Sequence, residues 1–125
     1  MENHSDEEIV RAYLKSWSEG GAEVSWANDV LDDLVQRDPE RAWPILLELI
    51  AGAPSGTILS ILAAGPLENL LCEHGLGFID RVVIEADHND RLRDSLASVW
   101  GETRMDRDVY RQLKQIRNIS GRGGA

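Results

Sequence analysis

Apolar residues recur along this chain at intervals of three and four, the period of helices that hide one side. Ile9, Val10, Tyr13, Leu14 and Trp17 fall within about 140° of arc at ~100° per residue, which makes one stripe. Ser5 stands just before that stripe and Glu8 three residues after Ser5, the spacing of a capping box. Asp6, Glu7 and Glu8 favour the positive end of the helix dipole, and Gly20-Gly21 ends the helix. A second helix is predicted over residues 25–37. Trp26, Val30, Leu31, Leu34 and Val35 face inward on it, and Asp29, Asp32 and Asp33 lie on the opposite side. Asp38-Pro39-Glu40 then restarts the chain with a cap, a proline at the first helical position and an acid. This third helix is apolar nearly all round after Trp43, so it is predicted to be central and buried. Pro44 removes a backbone donor inside it and predicts a kink.

Gly52-Ala53-Pro54 closes the third helix and Ser55 caps the next. Residues 57–64 are almost wholly apolar and are expected to be buried around Ile61, as the third helix is around Leu46. Gly65-Pro66 predicts a tight break. Leu67, Leu70 and Leu71 mark a fifth helix that stops at Gly75. A sixth covers residues 77–87 through Phe78, Ile79, Val82 and Val83. Its segment Arg81-Val82-Val83-Ile84 would also suit a strand, but no partner strand is visible, so it is read as helix. Asn89 caps a seventh helix whose stripe is Leu92, Leu96, Val99 and Trp100, with Gly101 as its end. The last covers residues 106–119, and residues 121–125 form a flexible tail. The fold class is therefore all-α, with one domain over residues 1–120. The architecture expected is a compact bundle of seven or eight short antiparallel helices. A short HEAT-like stack satisfies the same spacing.

Charge changes this picture by breaking its symmetry. Net charge is −9 over 125 residues. Residues 1–50 carry 12 acids and 4 bases, whereas residues 101–125 carry 3 acids and 6 bases. An acidic body repels phosphate, which argues against nucleic acid as the main partner and in favour of a basic protein. Cys72 is the only cysteine, which fits a reducing cytoplasm. The N-terminal stretch is acidic and polar, unlike a signal or transit peptide. The longest apolar stretches are far too short to span a bilayer.

Three blocks of sequence carry a resemblance. They are Asp38-Pro39-Glu40-Arg41-Ala42-Trp43-Pro44-Ile45-Leu46-Leu47-Glu48-Leu49-Ile50, then Ala64-Gly65-Pro66-Leu67-Glu68-Asn69-Leu70-Leu71 with His74-Gly75 and Phe78-Ile79, and Leu96-Ala97-Ser98-Val99-Trp100. Together they resemble a family of small bacterial proteins classed only as a domain of unknown function, over roughly residues 26–104. The resemblance implies a shared fold and a bacterial origin. It brings no activity with it, and none for Glu68 or His74, which match its pattern.

Candidate chemistry is sparse. Glu68, Glu73 and His74 are the best candidates for a ligand site. Cys72 and His74 could in principle serve as nucleophile and base, but two residues apart they point to different faces of a helix. Cys72 is more simply a small apolar core residue. Asp87-His88-Asn89-Asp90 lacks the glycine and distal glutamate of a calcium loop, and there is no CxxC or HExxH. Residues 52–57 lack the lysine of a phosphate-binding loop. No catalytic residue, metal or cofactor is assigned. The four tryptophans, Trp17, Trp26, Trp43 and Trp100, are read as core. In the last helix, Arg104, Arg107, Arg111 and Lys114 recur on one side with Arg117 at its margin, opposite Met105, Val109, Leu113, Ile116 and Ile119. That basic stripe complements the dipole or meets an acidic partner. No aromatic residue is expected among its bases.

These features favour a non-catalytic, cytoplasmic protein-interaction module. A concrete form is an immunity or antidote protein that binds a basic toxin through Asp29, Asp32, Asp33, Glu40 and Glu48. Two alternatives stand beside it. One is a small enzyme or ligand binder that uses the Glu68–His74 region. The other is a nucleic-acid-associated regulator that uses the C-terminal bases. The oligomeric state is left open.

Overall fold

In a computed structural model the chain is all-helical. The structure describes residues 5–18, 26–99 and 104–123, and only the backbone of residues 18 and 117–123. The helices are α1 (Asp6–Ser18), α2 (Trp26–Arg37), α3 (Pro39–Gly52), α4 (Gly56–Leu62), α5 (Glu68–Asp87), α6 (Asp90–Ser95) and α7 (Arg107–Gly123). There is no strand among the described residues, so the segment from Arg81 to Ile84 is helical.

Local capping forms as the sequence predicts in three places. The Glu8 backbone N–H donates to Ser5 Oγ at 3.2 Å, and Glu8 Oε1 accepts from the Ser5 backbone at 3.4 Å. Ser55 Oγ accepts from the Ile58 N–H at 3.2 Å, and Asn89 Oδ1 from the Leu92 N–H at 3.1 Å. Each satisfies a donor that the first helical turn leaves orphaned. Asp38 holds the cap position of α3 with Pro39 behind it, but its side chain makes no capping bond. Pro44 lies inside α3 on its exposed side, and the helix continues through it to Gly52.

The largest departure from expectation is in the middle of the chain. Gly65-Pro66 does not break it, and near the stop expected at Gly75 two helical segments join across a kink at His74. Residues 56–87 form one helical run of 32 residues, one of six helices among the described residues, and it replaces three of the expected seven or eight. Pro66 is accommodated in a π-helical turn, Ala63–Leu67. There the Glu68 N–H reaches back five residues to Ala63 O, the wide register of a π turn. The run then kinks at His74, whose φ and ψ are −132° and 18°.

Side chains from distant helices close off helix ends where the last carbonyls lack partners. His74 Nε2 lies 3.2 Å from Gln36 O in the last turn of α2. Arg91 donates from Nε to Ile50 O at 2.8 Å and from Nη2 to Ala53 O at 2.6 Å, which covers the end of α3. Arg93 donates to Ala86 O at 3.2 Å near the end of α5, and also pairs with Asp90.

The core lies where α1, α2 and α3 pack on one another and α5 packs on α2, α6 and α7. Ile9, Tyr13, Leu31, Ile45, Leu46 and Leu71 are among its fully buried side chains. Tyr13 and Trp17 rings lie 6.5 Å apart, and Trp43 and Phe78 rings 6.2 Å apart. Burial raises the Tyr13 hydroxyl pKa above its ordinary value. Three expectations of burial fail. Trp26, expected to face inward, is 43% exposed. Ile61 is only partly buried, and α3 shows solvent Pro44 and Glu48. An amphipathic stripe covers more arc than its neighbours can hide, and periodicity alone does not say which margin stays wet. Gly20-Gly21, Trp100 and Gly101 lie outside the described residues. α7 begins at Arg107 and runs past Ile119 to Gly123.

Candidate functional site

The proposed acidic row forms on α2. Asp29, Asp32 and Asp33 are all exposed, on the side of the helix away from buried Leu31, Leu34 and Val35. Asp33 bridges to Arg37 at 3.0 Å, one turn on. Glu48 is exposed on α3. Glu40 goes elsewhere, since its carboxylate accepts from Arg81 Nη1 at 2.8 Å across to α5. That hydrogen bond holds the Glu40 carboxyl below its usual range and raises the Arg81 guanidinium further. Arg81 also sits 4.6 Å over the Phe78 ring. The five acids are therefore divided between two places.

Glu40 opens onto a hollow of about 300 Å³ around the kink of α5, lined also by Cys72, Glu73, His74 and Asp106. Most of its polar groups are already engaged in holding the fold. A backbone carbonyl can only accept, so His74 Nε2 carries the proton it shares with Gln36 O. Asp106 Oδ1 accepts from the Asp108 N–H at 2.9 Å and the Val109 N–H at 3.4 Å, which caps α7. Burial pushes the Cys72 thiol above its ordinary value, against the opposing pull of Arg104. A thiol held neutral is a poor nucleophile. Glu73 is exposed.

Glu68 does not line this hollow. Its side chain is only 12% exposed and pairs with Arg104 Nη1 at 3.3 Å, while Arg104 Nη2 donates to Asn69 at 3.1 Å. The candidate set of Glu68, Glu73 and His74 is thus not gathered in one cleft. Among the described residues, no group of three or more His, Cys, Asp or Glu side chains could hold a metal ion.

The basic stripe is divided in the same way. Arg104 precedes α7 and turns to Glu68. Arg107, Arg111 and Lys114 line an open hollow of about 600 Å³ with Met105 and Tyr110. Contrary to expectation, an aromatic residue does stand among these bases. Lys114 Nζ lies 5.1 Å over the Tyr110 ring, and Arg111 pairs with Asp108 at 3.0 Å. The signal was present in the order Arg107, Tyr110, Arg111, Lys114, where Tyr110 stands one turn before Lys114. The side chain of Arg117 lies outside the described residues.

What the sequence missed is on α5. Leu76 and Ile84 are 69% and 65% exposed, far more than their residue types suggest. Among the described residues, no helix is long and apolar enough to cross a membrane. A model of a family of unknown function, DUF6869, matches residues 15–121. No curated protein and no solved structure matches the chain.

Proposed function

Since the chain belongs to the DUF6869 family of unknown function, which brings no activity with it, we propose from its geometry that it is a non-catalytic binding module for a basic protein. The observation that carries this reading is the fate of its reactive groups. His74, Asp106 and Glu68 are each spent on helix ends or an ion pair, whereas Asp29, Asp32 and Asp33 stand exposed in a row. Exposed like charges cost little in water and steer a partner of opposite sign. A concrete form is an immunity or antidote protein that covers the active site of a basic toxin, with Glu48 at the margin of the contact and Glu40 held away from it by Arg81. Changing Asp29, Asp32 and Asp33 together to lysine should abolish capture of a basic partner from the native cell. Undiminished capture by the triple variant sinks this reading.

One observation favours a second reading. The hollow of Arg107, Arg111 and Lys114 with Tyr110 offers charge and an aromatic face to an anionic ligand. A nucleic-acid partner there would be retarded in a gel at low salt and released steeply as salt rises. Absence of retardation at low salt removes this reading.

A further inference from the structure

The outer side of α5 is the least expected surface of the molecule. Leu76, Asp80, Val83 and Asp87 recur at intervals of four, three and four, so they share one side of the helix, and all four are exposed. Ile84 flanks them. Val83 and Ile84 line a mostly apolar groove of about 340 Å³ with buried Ala86 of α5 and Ile116 of α7, and with Asp87, His88 and Arg93 at its polar edge. Apolar side chains gathered in this way, rimmed by polar ones, mark an interaction surface rather than chance exposure.

Charge decides what fits there. Asp80 and Asp87 stand in the apolar row, and Glu73 is exposed near its start. Of the nearest bases, Arg81 is taken by Glu40 and Phe78, Arg93 by Asp90 and Ala86 O, and His88 faces Glu85 at 3.6 Å. A second copy related by two-fold symmetry would set Asp80 and Asp87 against their own equivalents, which like-charge repulsion opposes. An anionic lipid surface is opposed for the same reason. A groove between two helices accepts a third helix. From Leu76 to Ile84 the row is about 12 Å long at ~1.5 Å per residue, or two turns.

We propose that this face of α5 docks an amphipathic helix of a partner protein, whose apolar side enters the Val83–Ile84 groove and whose flanking lysines or arginines meet Asp80 and Asp87. The inference rests on the reading of the chain as a binding module, and it places a contact outside the α2 acids. The test uses a synthetic helical peptide of leucine and lysine with all leucines on one side. Two control peptides accompany it, one of the same composition with leucines scattered round the helix, the other with glutamate in place of lysine. The full-length chain should bind the first peptide at least tenfold more tightly than either control. Leu76→Ser with Ile84→Ser should weaken that binding at least tenfold. Asp80→Asn with Asp87→Asn, which keeps the apolar surface, should weaken it several-fold. Asp29, Asp32 and Asp33 changed to lysine should leave it within twofold.

Equal binding of the scattered or the glutamate peptide overturns the proposal. So does loss of binding in the α2 variant with none in the α5 variants, an outcome that leaves the α2 reading intact. Sedimentation of the unmodified chain should show a monomer. A dimer that Leu76→Ser with Ile84→Ser dissolves would assign the face to a second copy and overturn the proposal.

Discussion

Gly75 and Gly77 lie two residues apart in the same helix, and the same substitution should move stability in opposite directions at the two. Glycine in a helix costs about 1 kcal/mol relative to alanine. At Gly77 an added Cβ meets nothing within 4 Å, so Gly77→Ala should realise most of that gain. At Gly75 the added Cβ would lie 2.9 Å from Val109 Cγ1 and 3.0 Å from Cγ2. Val109 is fully buried in α7 and branched at Cβ, so it has no free rotamer to retreat into. The clash therefore pushes α7 away from α5, and overpacking of this kind costs roughly 1–3 kcal/mol. With Val109 unable to turn aside, the upper half of that range applies. Gly75→Ala should then lose about 1–2 kcal/mol net, or ~4–8 °C in Tm for a chain of this length.

Val109→Ala alone removes two buried methyl groups and should cost about 2 kcal/mol. In that background the new methyl at position 75 fills space instead of colliding, so Gly75→Ala should become neutral or stabilising. Urea unfolding of the four chains in this cycle gives the coupling directly, expected near 2 kcal/mol. A Gly75→Ala chain as stable as the parent, or a cost that is the same with and without the Val109 methyls, would rule out this contact as the cause.

Other contacts give further tests. Arg91→Met keeps the stem but removes both bonds to the end of α3, and should cost about 1–2 kcal/mol in urea unfolding; a change within error would mean those carbonyls are equally served by water. Arg104→Ala leaves the mostly buried Glu68 carboxylate without this base and should cost about 1–3 kcal/mol. Adding Glu68→Gln should recover part of that loss, and no recovery would show that the charge is not the cause. The Cys72 thiol should titrate above a free cysteine when followed by the pH dependence of alkylation. Because burial raises its folded pKa, its contribution to stability is complete below the unfolded thiol's pKa and is lost as pH rises through the folded one. An alkylation midpoint at or below that of free cysteine contradicts this.

The sequence was most legible where structure is decided within one turn. Ser5 with Glu8, Ser55 and Asn89 cap their helices because donor and acceptor lie three residues apart on the chain. It was least legible where a distant helix decides. Gly65-Pro66 reads locally as a break, yet the chain continues through it in a widened turn whose Glu68 N–H reaches back five residues to Ala63 O. Gly75 reads as a helix stop, yet its lack of a side chain admits Val109 of α7. His74 reads as chemistry, yet it ties the kink of α5 to the end of α2. The acids of α2 were placed correctly by periodicity. Glu40 was not, because its direction is set by Arg81, 41 residues away. Exposed Leu76 and Ile84 could not be foreseen, since periodicity names an apolar stripe but not the neighbour that fails to cover it.

On the reading proposed above, this chain works by surface charge on α2 rather than by a catalytic cleft. The most direct test is affinity capture from the native cell with the parent chain and with Asp29→Lys, Asp32→Lys and Asp33→Lys combined, both shown to be equally helical and equally stable. The parent should retain a basic protein and the triple variant should not. Retention of the same partner by both chains would contradict it.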